Sequence, residues 1–190
     1  MAVDVDKLKN ARPPAGHPFR IRRLGHVVIL VADLERSVEF YTQVLGFQVS
    51  DVYSEEMVPG GMVFLRCNPD HHCLALVGAA KGNSQNIEMH HLAFEVPTLD
   101  EVFRLRKHLK KHNARIEFEG RRRAGCQVAV EFRDPDGHSL EVYWGLDQVG
   151  TEGSVRPPEQ WRYLHTLEEA VDNPPPGQDN TLADPSLRRS

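Results

Sequence analysis

A histidine at the head of a short apolar run occurs twice in this chain, and that repetition limits what the chain can fold into more than any other feature. Gly25-His26-Val27-Val28-Ile29-Leu30-Val31 has its counterpart in His90-His91-Leu92-Ala93-Phe94-Glu95-Val96. His26 and His91 are 65 positions apart, and the turn tripeptides Asn68-Pro69-Asp70 and Asp134-Pro135-Asp136 are 66 apart. Two landmarks that agree to one residue predict a single supersecondary unit used twice, with the two histidines in matching places.

In the first copy, alternation puts His26, Val28 and Leu30 on one strand face and Val27, Ile29 and Val31 on the other. Asp33 is placed to cap a helix that carries Leu34, Val38, Tyr41 and Leu45 at helical spacing, and Gly46 offers a left-handed stop. Phe47 to Tyr53, Met62 to Cys67 and Cys73 to Val77 read as three strands, with turns at Gly60-Gly61 and Asn68-Pro69-Asp70. In the second copy His91, Ala93 and Glu95 share a face opposite Leu92, Phe94 and Val96. Thr98-Leu99-Asp100-Glu101 fits a capping box ahead of Val102, Leu105 and Leu109. Strands are expected at Arg115 to Glu119, Gln127 to Arg133 and Ser139 to Trp144. Each copy is therefore strand, helix and three strands, over about residues 23–79 and 88–147.

The flanks differ. Residues 1–22 are charged and carry Pro13, Pro14 and Pro18, the mark of an extended arm. Residues 148–190 form a C-terminal extension in which Trp161, Leu164, Leu167 and Val171 suit a short helix packed on the body or on a partner chain; a homo-oligomer is compatible with this. From Asn173-Pro174-Pro175-Pro176-Gly177 onward the composition is that of a disordered tail.

A length of 190 residues suits one domain with tails. The 23 Lys and Arg against 27 Asp and Glu give a formal charge of -4, with short basic runs only at Arg121-Arg122-Arg123 and Lys107 to His112. Phosphate binding needs a concentrated positive face, so a nucleic-acid surface is not indicated. Cys67, Cys73 and Cys126 are odd in number with no Cys-x-x-Cys pair, which argues for a reducing compartment and against a disulfide frame or thiolate zinc site. No signal sequence or membrane span is read, so a cytoplasmic protein is expected.

The motif Phe40-Tyr41-x-x-Val44-Leu45-Gly46-Phe47, followed a module later by Asp134-Pro135-Asp136-Gly137-His138-Ser139-Leu140-Glu141, resembles the vicinal oxygen chelate superfamily over roughly residues 22–147. The resemblance implies an α+β fold in which two tandem βαβββ modules form a cupped eight-stranded mixed sheet with helices outside, holding a divalent metal. A narrower stretch, Phe64-Leu65-Arg66-Cys67-Asn68-Pro69-Asp70-His71-His72-Cys73-Leu74-Ala75, looks like extradiol ring-cleaving dioxygenases of the one-domain type, which open catechols with Fe(II) and O2.

Oxygen-binding non-haem iron sites use two histidines and a carboxylate on one face of the metal. His26, His91 and Glu141 fit that role. Glu141 alternates with Leu140 and Val142, so its carboxylate leaves the apolar face, and a buried acid there needs a partner such as a cation. Taken singly, the three also read as strand-end histidines and a solvent-facing acid. Fe(II) and Mn(II) accept the same ligands. The first-module counterpart of Glu141 is Ala75, where glyoxalase-type relatives use a fourth ligand; this points away from a glyoxalase.

The resemblance makes His72 the acid–base histidine, a task suited to an ordinary pKa of ~6.5. Alternation back from Ala75 would aim His72 away from the cup unless the regular strand begins after it. The family's substrate-contacting tyrosine and additional histidine fall at Glu131 and near Arg122, neither the expected residue. Glu131, between Val130 and Phe132, is aimed into the cup; Arg122 reads first as a solvated hairpin charge. His71, His108, His112 and His138 read as surface or turn residues, and His90 as strand entry.

The first functional expectation is an Fe(II)-dependent extradiol-type dioxygenase for a catecholic or related dihydroxy-aromatic ring. Two alternatives stand beside it: a metal-dependent isomerase, epimerase or lyase with Glu131 as base, and a metal-free small-molecule binding protein of the resistance type.

Overall fold

The computed structural model describes residues 3–12, 15, 24, 26–69, 71–84, 89–123, 125–148 and 156–189. The first module runs β1 (Val27–Leu30), helix α2 (Leu34–Glu39), β2 (Gln48–Tyr53), β3 (Met62–Arg66) and β4 (Leu74–Val77), preceded by a short helix α1 (Val5–Lys9). The second runs β5 (Leu92–Glu95), α3 (Leu99–Lys111), β6 (Ile116–Arg121), β7 (Val128–Arg133) and β8 (Ser139–Trp144). A further helix, α4 (Leu167–Asp172), lies in the C-terminal extension.

The two modules repeat one topology. Strand order is β1-β4-β3-β2 in one sheet and β5-β8-β7-β6 in the other, with β1 parallel to β4 and β5 parallel to β8. A register shift interrupts the β2–β3 pairing between Val49 and Asp51, and another interrupts β6–β7 between Ile116 and Phe118. The fold is thus α+β with eight strands, hydrogen-bonded among the described residues as two four-stranded mixed sheets.

The helices begin and end where local chemistry predicts. The Asp33 carboxylate accepts from the Arg36 amide at 3.0 Å, and the Thr98 amide donates to Glu101 at 3.3 Å. After Glu39, α2 continues as one π-helical turn, Phe40–Val44, before Gly46 turns the chain at φ 73°. Ile29, Val31, Tyr41, Leu65, Leu76, Phe103, Leu109, Phe132 and Leu140 join one buried cluster with contributions from both modules. Each such Leu, Ile or Phe contributes roughly 1.5–3 kcal/mol by leaving water. The opposite face of the edge strands is open: Val28, Leu30, Ala93 and Glu95 are exposed. That open face carries the histidine-bearing side of each repeat.

The Asp134-Pro135-Asp136-Gly137-His138 turn locks the modules together. Asp136 accepts from the Ala32 amide at 2.8 Å, from Arg36 at 2.8 Å and from the Ser37 hydroxyl. Asp134 accepts from the Tyr41 hydroxyl at 3.0 Å, from His138 Nδ1 at 2.8 Å and from the Asp136 and His138 amides. His138, read as a surface or turn residue, does lie in this turn but is buried rather than exposed, because Asp134 satisfies it inside the core. Burial lowers its pKa, but the hydrogen bond and charge of Asp134, with Asp136, outweigh that and leave it above the usual histidine value.

Both flanks depart from expectation. Part of the N-terminal arm is helical rather than extended: α1 is capped by Asp4, whose carboxylate accepts from the Lys7 amide at 3.0 Å. Of Trp161, Leu164, Leu167 and Val171, the last two lie in α4; Trp161 follows a 3-10 turn and Leu164 bridges Arg121. Residues 173–189, expected to lack order, lie against the body. Leu182 and Asn180 are buried, and the Ala183 and Asp184 amides donate to Asp100, each at 2.9 Å. Among the described residues no helix is long and apolar enough to cross a membrane.

Candidate active site

On the second sheet the register Ala93↔Glu141 brings the start of β5 beside β8. His91 Nε2 lies 3.3 Å from Glu141 Oε2. Glu141 is only 3% exposed, and its Oε1 accepts from the Gln127 amide nitrogen at 3.3 Å. Burial raises the Glu141 carboxyl above the usual range; Gln127, His91 and Arg122 pull it down and Glu131 pushes it up, with burial dominant.

On the first sheet His26 and His72 face each other, ring centroids 4.6 Å apart. His72 also packs edge-on to Phe64 at 5.0 Å, and Phe64 pairs with Ala75 across β3 and β4, so all three lie toward the cup. The alternation problem disappears because β4 begins at Leu74: His72 precedes the ladder, whose first ties are Cys73 N to Leu65 O and Val27 N to Cys73 O, both 3.0 Å. His71 Nδ1 lies 3.0 Å from His72 Nδ1. Burial, with the His26 and His71 rings, holds the His72 imidazole below the usual histidine range. Val28↔Ala75 occupies the register place of Ala93↔Glu141, so the symmetric position in the first module offers a methyl group instead of a ligand.

Arg122 is not a solvated hairpin charge. Its Nε donates to Glu131 Oε1 at 2.7 Å, its Nη1 to the Tyr163 hydroxyl at 3.3 Å, and its guanidinium lies 3.8 Å from the Phe118 ring centre. Burial lowers the Arg122 pKa, but the Glu131 bond and charge more than offset this and raise it. Glu131 stands opposite both Phe118 and Glu141 in the ladders, so this group shares the Glu141 side of the sheet. Sequence reasoning missed Gln127, Phe118 and Tyr163. The alternation of β6 and β7 holds a signal for the first two; nothing local marks Tyr163, which arrives from the C-terminal extension.

The donor types suit a divalent metal. Glu141 carries the test: its buried carboxylate has a neutral amide and an imidazole as near partners, and a cation within reach of both His91 and Glu141 would offset its desolvation. The gathering is partial, since no set of three or more His, Cys, Asp or Glu donors converges among the described residues. His91 and Glu141 are together, whereas His26 lies against His72.

Comparison with known proteins identifies the family. Residues 23–142 match the family described as Glyoxalase/Bleomycin resistance protein/Dioxygenase superfamily. The chain is 30% identical over 154 residues to the biphenyl-2,3-diol 1,2-dioxygenase of Metapseudomonas furukawaii, covering 78% of this chain and 50% of that protein. It is 30% identical over 155 residues to biphenyl-2,3-diol 1,2-dioxygenase 3 of Rhodococcus globerulus, covering 79% and 74%. The chain thus spans about half the length of the first of these relatives. More distant matches include an enzyme named an iron-dependent extradiol dioxygenase from Rhodococcus jostii, 30% identical over 78% of this chain and 50% of that protein. Another is named a manganese-dependent 2,3-dihydroxybiphenyl 1,2-dioxygenase, from a Geobacillus, 27% identical over 67% and 38%. Among solved structures, glyoxalase I of Leishmania major superposes with a TM-score of 0.51 at 27% identity, over 66% of this chain and 88% of that one. With a family match across residues 23–142 and the repeated βαβββ topology, the chain belongs to the glyoxalase/bleomycin resistance protein/dioxygenase superfamily.

Proposed function

We propose that this chain is an extradiol-type dioxygenase that opens a catecholic or related dihydroxy-aromatic ring with O2, using Fe(II), with Mn(II) as the alternative metal. The observation that carries the reading is the contact of His91 with the buried Glu141 carboxylate, with His26 against His72 at the matching place in the first repeat. His26, His91 and Glu141 would hold the metal. When bound there, Fe(II) supplies a Lewis acid for two vicinal oxygens and electrons for O2. Both oxygen atoms enter the product, so the reaction needs no added reductant.

The chain's own residues divide the remaining work. His72, whose pKa is lowered by burial and by its imidazole neighbours, favours the neutral imidazole that takes the proton from a diol hydroxyl. Phe64, whose ring packs against His72, gives the substrate ring an apolar wall on the first sheet. Arg122 neutralises Glu131, so Glu131 is poorly suited to act as the free base an isomerase or lyase would need. The relatives named as biphenyl-2,3-diol dioxygenases support the same choice.

The test is to purify the full chain without oxygen, load Fe(II), and supply a panel of catechols and then O2. Oxygen uptake with a yellow ring-opened product is expected. Metal retention without uptake on any catechol would refute the dioxygenase, and His91→Ala retaining metal as wild type does would refute the ligand set.

A further inference from the structure

The superfamily match ends at residue 142, yet the extension beyond it returns to the cup. Leu164 forms a bridge with Arg121 on the edge of β6, where Gly120, at φ 143°, lets the Leu164 carbonyl approach closer than any Cβ would permit. Arg121 is fully buried and donates to the Ala170 carbonyl at 3.1 Å and to Gln178 at 2.5 Å. Arg106, also buried, grips Glu168 at 2.9 Å. Arg121 and Arg122 are consecutive and project to opposite faces. Arg121 fastens the extension on the outside, and Arg122 meets Tyr163 inside.

We infer that Tyr163 is a specificity-determining residue of the substrate cup, its phenol hydroxyl donating to an uncharged, hydroxyl-bearing substituent on the aromatic ring. The inference rests on the dioxygenase reading above. Tyr163 is held in place twice: its ring lies parallel to Phe118, centroids 6.1 Å apart and 4° between planes, and its oxygen accepts from Arg122. Accepting that bond leaves the phenol hydrogen free to donate. Phe118 stands two strands from Glu141, about 10 Å at ordinary strand spacing. That is the reach of a second ring attached to a catechol whose diol sits at the metal ligands.

Next to the Tyr163 hydroxyl, the occupied Arg122 fork and the Glu131 carboxylate disfavour an anionic substituent. The Arg122 fork is spent on Glu131 and on Tyr163. Glu95 lies beside Tyr143 on the same face, so once Glu141 is committed to a metal, Glu131 and Glu95 stand against Arg122 and against Arg123, whose guanidinium lies 3.9 Å from the Tyr163 ring centre. A hydroxyl can donate to the remaining Glu131 oxygen and accept from Tyr163, whereas a carboxylate meets repulsion.

The experiment uses the full chain, Fe(II)-loaded and without oxygen, so that binding is read apart from turnover. Titration calorimetry compares 3-phenylcatechol with 3-(2-hydroxyphenyl)catechol and 3-(2-carboxyphenyl)catechol. The hydroxylated ring should bind roughly 3- to 10-fold tighter than 3-phenylcatechol, the worth of one neutral hydrogen bond. Tyr163→Phe should erase that difference, leave 3-phenylcatechol within about twofold, and keep the thermal midpoint of the protein. Equal weakening of both ligands by Tyr163→Phe, no discrimination by wild type, or tightest binding of the carboxylated ring would overturn the inference while leaving the dioxygenase reading intact. Wild type that binds none of the three overturns that reading, and this inference with it.

Discussion

Asp134→Ala should be among the most damaging single substitutions in this chain, although position 134 lies in a turn. Its side chain accepts four hydrogen bonds: Tyr41 Oη at 3.0 Å, His138 Nδ1 at 2.8 Å, and the Asp136 and His138 amides at 3.0 and 2.8 Å. Tyr41 is fully buried and His138 nearly so, so water cannot replace the lost acceptor without opening the seam between modules. Breaking a buried ion pair by deleting one member costs about 3–5 kcal/mol, a large share of the roughly 5–15 kcal/mol that a domain possesses. With a urea m-value of about 2 kcal/mol/M, the midpoint should fall by about 2 M. Equilibrium urea unfolding followed by tryptophan fluorescence reads this directly. A loss below about 1 kcal/mol would refute the claim that this turn joins the two modules.

The same network sets a pH dependence. His138 is raised above its unfolded value, so its contribution is complete below about pH 6.5 and is lost as pH rises through the folded pKa. The wild-type urea midpoint should therefore decline across that interval, and Asp134→Asn should flatten the decline; an unchanged slope in the variant would assign it elsewhere. Glu141 offers a contrasting case, because burial raises its carboxyl pKa and its ionisation costs the metal-free fold stability as pH rises. Glu141→Gln should leave the metal-free protein as stable or more stable at pH 8, by on the order of 1 kcal/mol, while abolishing metal retention; thermal unfolding and metal analysis on one preparation separate the two effects. Gly120→Ala should drive the Leu164 carbonyl off β6 and expose the α4 region, read as faster amide exchange across residues 161–172 with the α3 amides unaffected. Exchange unchanged there would show that the extension is held without this approach.

The repeat, the strand alternation and the capping residues are local, and so they are legible in the chain: His26 and His91 at strand heads, Asp33 and Thr98 at helix starts, and Glu141 leaving the apolar face of β8 all follow from period and spacing. His72 was legible in type but not in direction, because alternation applies only inside a ladder and β4 begins two residues later. His138, the repeat counterpart of His72, reads from sequence as a surface or turn residue, and its burial is not legible there. The same position is a partly open imidazole beside His26 in one module and a buried partner of Asp134 in the other. Module docking decides between them. Arg122 and Tyr163 are 41 residues apart and meet only because Arg121, Arg106 and Gly120 fasten the extension across β6. Short-range periodicity thus determined the elements and the residue types offered as candidate metal ligands. Tertiary structure alone decided which polar groups are neutralised by one another, since pairing Glu131 with Arg122, or Asp134 with His138, depends on long-range burial that no local pattern encodes.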